Sequence, residues 1–195
     1  GLVGSEMCIR DRYMLSTFIK NLSKLKSEIN TSEYHQALLT FLAIWFDRIA
    51  VANTSLGRWH ISGEKLEHPF SRQAIAMVFD YPESNPFCNS SGSALNQLEW
   101  IIRYIESESN SPFAALLANA SSGEKGQFAA KTLTAVVTDP PYYDAIGYAD
   151  CSDLFYVWMK RTLGDVYPIN FATPQTPKAE ECTALKHHHH NSEAE

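Results

Sequence analysis

The sequence predicts an incomplete α/β domain that carries a mostly helical insertion. The α/β assignment depends on residues 133–138, LTAVVT. This short run is rich in β-branched residues and two prolines end it, a pattern typical of a buried central strand. The insertion is assigned because residues 13–126 place most of their apolar side chains at helical spacing. With 45% hydrophobic and 19% charged residues, the chain has a globular rather than a disordered composition.

Four segments repeat apolar residues every three or four positions and are predicted to be helices: 13–29, 33–52, 94–105 and 151–163. Ser32 lies in a polar break that offers an N-cap for the second helix. We expect Asp150 or Ser152 to cap the last helix and Gly164 to end it. A second apolar run, 74–79, is predicted to be a strand, whereas 53–72 is expected to be irregular.

Charge and cysteine spacing exclude several classes of protein. A formal net charge of -6 gives no whole-chain basic footprint for nucleic acid, although it leaves room for a local basic face. No apolar run approaches the roughly 18 residues of a membrane span, so no membrane partner is expected. The 4 cysteines are widely spaced and form no CxxC pair, which argues against a zinc site or a disulfide framework. Without a convincing secretory leader, the predicted location is the cytoplasm.

The candidate functional residues follow the predicted strand directly: Asp139, Pro140, Pro141 and Tyr142. In open α/β sheets, ligands bind at the carboxyl ends of the strands. A carboxylate and a stiffly held carbonyl can accept the two protons of a nucleobase exocyclic amine, whose lone pair is otherwise delocalised into the ring. The two prolines supply that stiffness, and the tyrosine ring supplies a stacking face. On the tetrapeptide alone, an ordinary strand-ending turn is an equal alternative.

Residues 133–161, LTAVVTDPPYYDAIGYADCSDLFYVWMKR, resemble the catalytic segment of the large adenine-specific DNA methylases that begin with a domain of unknown function. Some members of that family are linked to anti-phage defence. Further segments resemble the same family: 53–59, 67–87, 90–93 and 172–181. The resemblance covers most of residues 34–181. It implies a Rossmann-like S-adenosylmethionine methyltransferase domain that methylates adenine N6 in DNA, with defence-system proteins as further candidate partners.

The resemblance also implies roles for individual residues. Asp139 and the Pro140 carbonyl would bind the target amine, Pro141 would stiffen the turn, and Tyr142 would stack on the base. Three nearby side chains are candidate substrate-binding residues: Tyr143, Asp144 and Tyr148. The cofactor implied is S-adenosylmethionine, and no metal ion is implied.

The family pattern also predicts how the chain is organised. Residues 127–181 are expected to be the catalytic segment, 13–126 an insertion or accessory region, and 182–195 a polar truncated tail. Residues 1–12, GLVGSEMCIRDR, resemble adapter sequence read as protein, and we expect them to be non-native. The 9 glycines never form the GxG turn that holds S-adenosylmethionine in the family. We therefore expect a fragment that starts after that turn and is inactive, or nearly so, on its own.

Several alternatives stay open. The target amine could be N4 of cytosine or an amine in RNA, because the four motif residues do not separate these substrates. The chain could also be a non-catalytic nucleic-acid-binding or scaffold subunit of a defence complex, because the glycine turn is absent. A basic and aromatic stretch could contact DNA, although a solvated loop is the favoured interpretation: Arg58, Trp59, His60, Lys65, His68 and Arg72. The histidine run 187–190 is interpreted as an incidental tract or tag rather than a metal site.

Overall fold

The computed structural model describes residues 2–29, 32–54, 56–67, 69–70, 85–110, 112–121, 123–179 and 181–185, with side chains from Arg12 onward. Its elements are α1 (Leu2–Glu28), α2 (Glu33–Ala52), β1 (Arg58–His60), a 3-10 turn (Ile61–Gly63), β2 (Lys65–Glu67), α3 (Ala94–Glu108) and α4 (Tyr148–Leu163). All four predicted helices are confirmed, although α1 begins at Leu2 and α4 begins at Tyr148, both earlier than expected. Within the described part of the chain, no helix is both long and apolar enough to cross a membrane.

The main core forms where α1, α2 and α4 meet. Phe46 of α2 is fully buried and packs against Leu15 and Leu22 of α1. Its ring lies 5.6 Å from Trp158 of α4 and 5.3 Å from Phe18 of α1, the first pair edge-on and the second tilted. Aromatic pairs at such separations add to the stabilisation from apolar burial. The apolar stripe of α2 therefore makes it the central helix, which contacts α1, α3 and α4.

A second, smaller cluster fixes the far end of α4. Leu163, 3% exposed, packs against Leu39 and Ala43 of α2, and the chain after α4 adds Tyr167 and Phe171 to the same patch. The Tyr167 hydroxyl lies 3.0 Å from Thr40 Oγ1. Gly164 follows the helix as predicted, and its N–H donates to the Lys160 carbonyl at 3.0 Å. Two clusters of apolar side chains therefore hold α2 against α4, one around Phe46 and one around Leu163.

A β-hairpin occupies part of the stretch that the sequence predicts to be irregular, so that prediction is wrong for residues 58–67. β1 and β2 pair antiparallel, with Arg58 opposite Glu67, Trp59 opposite Leu66 and His60 opposite Lys65. The Arg58 guanidinium donates to the Glu67 carboxylate at 2.5 and 2.8 Å across the strands. Strands of three residues are too short for an alternating pattern to show in the sequence. Contacts between the two strands stabilise this hairpin.

The predicted strand at 133–138 is also wrong in this structure. The segment has no regular secondary structure and is exposed throughout, with Val136 at 72% and Val137 at 95%. A strand needs a neighbour for its backbone N–H and C=O groups. The two-stranded hairpin is the one sheet among the described residues. A sheet this small neither supports nor contradicts the predicted Rossmann-like fold. The other predicted strand, 74–79, lies outside the described residues.

Candidate functional site

The predicted catalytic motif lies in an irregular segment, and residues 143–147 separate it from α4. Asp139, Pro140, Pro141 and Tyr142 are all exposed, and Tyr142 retains 60% of its accessible surface. Among the residues that the structure describes, none forms a hydrogen bond or ion pair with the Asp139 side chain. An accessible carboxylate beside an accessible aromatic ring can accept a hydrogen bond and stack on a planar ligand.

The structure brings Tyr148 to the Tyr142 backbone and attaches the Tyr143 backbone to the chain after α4. Tyr148, the first residue of α4, places its hydroxyl oxygen 3.3 Å from the Tyr142 amide, which donates to it. The Tyr143 carbonyl accepts a hydrogen bond of 2.6 Å from the Ala184 amide. Asp144 lies exposed in the turn between these contacts. Tyr142, the last motif residue, is therefore attached to α4, and Tyr143 is attached to a segment about forty residues further along the chain.

The N-terminus of α4 is completed by a distant residue. Gly147 is the N-cap and has no side chain, so the prediction that Asp150 or Ser152 caps this helix is wrong. The first N–H groups of a helix need acceptors from outside it. Glu181 supplies one, because its Oε1 accepts from the Ala149 amide at 3.0 Å. A carboxylate there also interacts favourably with the positive end of the helix dipole.

A polar network holds the segment that delivers this carboxylate, residues 172–179 and 181–185, hereafter the strap. The Thr176 amide donates to Asp153 Oδ1 at 2.9 Å, and Lys178 Nζ donates to Asp153 Oδ2 at 2.6 Å. The Thr176 hydroxyl lies 2.7 Å from both Asp153 Oδ1 and the Ala149 carbonyl, and it donates to one of them. Burial raises the pKa of Asp153, but the Lys178 and Thr176 hydrogen bonds and the Lys178 charge outweigh burial, and the pKa is lowered.

Sequence reasoning missed the roles of the strap residues. The resemblance included 172–181, yet it assigned no function to Thr176, Lys178 or Glu181. No local pattern pointed to these roles, because the helix was expected to begin at residue 151 and the acceptor for the Ala149 amide comes from 32 residues further along the chain. The same contacts account for the environment of Cys151, whose pKa is raised by burial and by the nearby charges of Asp150 and Glu181. A raised thiol pKa argues against Cys151 as a nucleophile.

A large cleft lies elsewhere in the described structure, between α2, the hairpin, the 85–93 loop and α4. Its volume is about 1160 Å³, and the motif residues 139–142 are not among those that line it. Four members of the basic and aromatic stretch line it: Arg58, Trp59, His60 and Lys65. The favoured interpretation of that stretch as a plain solvated loop is therefore incomplete. His68 and Arg72, from the same stretch, lie outside the described residues.

No group of three or more His, Cys, Asp or Glu side chains in the described ranges is placed to hold a metal ion. The histidine run 187–190 lies beyond those ranges. The chain matches no protein-family model, no curated protein and no solved structure.

Proposed function

We propose that this chain carries the amine-binding part of the catalytic site of an S-adenosylmethionine-dependent methyltransferase that acts on adenine N6 in DNA. The observation that carries the proposal is the Asp139-Pro140-Pro141-Tyr142 motif, which is accessible to a ligand and lies a few residues before α4. The resemblance of residues 133–161 to adenine-specific DNA methylases supports the substrate.

Three of the four motif residues then bind the base, and Pro141 stiffens the turn that holds them. The Asp139 carboxylate accepts one amine proton, and the Pro140 carbonyl accepts the other. These two acceptors draw the nitrogen toward a tetrahedral, electron-rich geometry. The Tyr142 ring stacks on the base. This stacking offsets part of the energy, roughly a few kcal/mol, that is needed to flip the base out of a duplex.

The cofactor supplies the electrophilic methyl group, but the described residues do not form a glycine cradle for it. Gly92 and Gly126 are the described glycines with positive φ, at 94° and 85°. A Cβ added at Gly126 would meet nothing within 4 Å, and one at Gly92 would meet only Ala52 at 3.8 Å. Neither turn is pressed against a neighbour in the way that a phosphate or nucleotide loop requires. We therefore assign only the base-handling steps to these residues.

The test is methyl transfer by the protein expressed from the complete reading frame that encodes this chain. Labelled methyl groups from S-adenosylmethionine are followed into duplexes that contain adenine or cytosine targets, and into RNA. Asp139→Ala should lower the rate by about 100-fold or more, because a preorganised acceptor is lost. Glu106→Ala, an exposed acidic residue on α3, is the matched control and should leave the rate unchanged. Full activity of Asp139→Ala would remove Asp139 from the mechanism, and label on cytosine or RNA alone would refute adenine in DNA.

A second candidate, a non-catalytic nucleic-acid-binding subunit of a defence complex, is favoured by one observation: the 9 glycines never form a GxG turn. The two proposals differ in what Tyr142 and Asp139 do. In a binding subunit, Tyr142→Ala should weaken oligonucleotide binding by the roughly 1–3 kcal/mol of a stacked base, while no methyl transfer occurs in any variant. In an enzyme, Asp139→Ala should lower the rate of methyl transfer by about 100-fold or more, with little change in binding.

A further inference from the structure

Two hydrogen bonds connect Glu181 of the strap to the last residue of the candidate motif. Glu181 Oε1 accepts from the Ala149 amide at 3.0 Å, in the first turn of α4. Tyr148 directly precedes Ala149, and its hydroxyl oxygen accepts from the Tyr142 amide at 3.3 Å. The Tyr148 side chain therefore extends from the end of the helix that Glu181 caps to the backbone of the motif.

The strap makes a second contact beside the motif, close to the first. The Ala184 amide donates to the Tyr143 carbonyl at 2.6 Å. The chain turns sharply between the two contacts, because the Thr183 amide donates to the Glu181 carbonyl at 2.8 Å. Thr183 is 3% exposed, so the turn packs against the rest of the molecule. One short turn thus presents a carboxylate and a backbone amide to the two ends of residues 143–149.

A separate set of contacts holds the strap without involving the motif. Lys178 Nζ lies 2.6 Å from Asp153 Oδ2 and 3.9 Å from Asp150 Oδ1. The Glu181 amide in turn donates to the Lys178 carbonyl at 3.2 Å. Asp153 lies about one helical turn beyond the residue that the Glu181 carboxylate caps. The strap is therefore attached to α4 at two levels, which restricts where that carboxylate can lie.

The orientation of Tyr142 decides whether it can perform its proposed task. A stacking ring and the amine acceptor at Asp139 must be oriented before the base arrives. Because Tyr142 is 60% exposed, packing contributes little to that orientation. The hydrogen bonds that the backbone of Tyr142 and Tyr143 makes with Tyr148 and the strap therefore carry much of it.

We propose that Glu181 is a positioning residue of the amine-binding site: it fixes the first turn of α4, and through Tyr148 it fixes the Tyr142 ring on which the target base stacks. This inference rests on the proposed methyl transfer, but the link from Glu181 to Tyr142 can be measured without catalysis. Misplacing a reacting group by about 1 Å can cost roughly 100-fold in rate. Duplex affinity depends largely on phosphate contacts. Loss of Glu181 should therefore lower kcat more than it raises KM.

Amide hydrogen exchange in the intact chain tests the structural link. Tyr148→Phe removes the acceptor of the Tyr142 amide and gives the exchange rate without that hydrogen bond. Glu181→Ala should bring Tyr142 to within about twofold of that rate, whereas Glu181→Gln keeps an oxygen for the Ala149 amide and should retain most of the protection. Ser32→Ala, which removes the cap of α2, is the matched control and should leave Tyr142 unchanged. Wild-type exchange at Tyr142 in Glu181→Ala or in Tyr148→Phe would overturn the proposal.

Methyl transfer by the protein expressed from the complete reading frame tests the positioning role. Glu181→Ala should lower kcat by about tenfold or more with less than about a twofold change in KM for the duplex, and Glu181→Gln should recover most of the rate. Combining Glu181→Ala with Tyr148→Phe should cost no more than about twofold beyond the slower single variant, because both act on one contact. Ser32→Ala should leave kcat unchanged. Wild-type kcat in Glu181→Ala, or multiplicative losses in the double variant, would overturn the positioning role.

The two experiments separate this inference from the function on which it rests. If the wild-type protein transfers no methyl group to adenine, cytosine or RNA targets, the proposed function is refuted. Hydrogen exchange then still decides whether Glu181 fixes Tyr142. If the wild-type protein is active and Asp139→Ala is not, but Glu181→Ala keeps the wild-type kcat, the proposed function stands and the positioning role of Glu181 is refuted.

Discussion

The buried carboxyl group of Asp47, a residue of α2 that is 7% exposed, should make the stability of the chain depend on pH. Its pKa is raised by burial from 3.8 in the unfolded chain to about 7 in the folded one. For an acid with a raised folded pKa, stability is greatest below the unfolded value and is lost as the pH rises through the folded value. Folding should therefore weaken progressively between about pH 4 and pH 7, because unfolding releases the buried group to ionise in water.

The size of the effect follows from the shift. Three pKa units correspond to about 4 kcal/mol once the pH exceeds the folded value. Between pH 5 and pH 8 the loss should be about 3 kcal/mol, since roughly one unit of the shift is already expressed at pH 5. For a domain with a typical total stability of about 5–15 kcal/mol, this is a large fraction.

Asp47→Asn is the matched perturbation, because it keeps the shape of the side chain and cannot ionise. Urea unfolding of both proteins at pH 5, 6, 7 and 8 gives the free energy of unfolding of each protein at each pH. The buried amide carries its own desolvation cost, which is constant with pH. The free energy of unfolding of the variant minus that of the wild type should therefore rise by about 3 kcal/mol from pH 5 to pH 8. Parallel pH profiles for the two proteins would show that the pKa of Asp47 is not raised in the folded chain, which would refute this prediction.

Two further substitutions test the core and the strap. Phe46→Ala should destabilise the chain by about 3–5 kcal/mol in urea unfolding, because it empties the centre of the three-helix contact; a loss below about 1 kcal/mol would place the core elsewhere. Asp153→Asn should speed hydrogen exchange at the Thr176 amide at least tenfold, with no such change at the far end of α2. Because the folded pKa of Asp153 is lowered, wild-type protection there should persist above pH 3.8 and disappear as the pH falls through that lowered pKa, whereas the Asn variant should not show this transition.

The helices could be predicted from the sequence because each depends on local information. The apolar spacing of α2 and the Ser32 cap, whose hydroxyl oxygen accepts from the His35 amide at 3.4 Å, lie within a few residues of each other. The same holds for α3, where Ser93 Oγ accepts from the Asn96 amide at 3.2 Å. Amphipathic period and capping together fix such elements without knowledge of what they pack against.

The hairpin, the strap and the cleft depend on contacts that no local pattern carries. Thr176 meets Asp153 from 23 residues away, and Glu181 reaches Ala149 from 32 residues away. Asp47 could have been noticed, because it is a lone acid among the apolar residues in the second half of α2. Its meaning required knowing that the residue is buried at the wall of a cleft and that its Oδ1 has no hydrogen-bond partner among the described residues, which are properties of the assembled helices and hairpin.

The candidate catalytic motif shows the same division between its two halves. Its last residue, Tyr142, donates its amide hydrogen to Tyr148, and the next residue, Tyr143, accepts at its carbonyl from Ala184 of the strap. In contrast, Val136 and Val137, in the segment before Asp139, stay exposed. Burying such a β-branched side chain contributes about 1.5–3 kcal/mol, and a paired strand would also hold the Asp139 backbone in place. Electrostatic catalysis requires acceptors that are already oriented before the substrate arrives. The proposed activity therefore requires the backbone of residues 133–138 to be fixed, as hydrogen bonds already fix the backbone at Tyr142 and Tyr143. Changes that make this segment more rigid should raise the rate of methyl transfer more than they raise the affinity for the base.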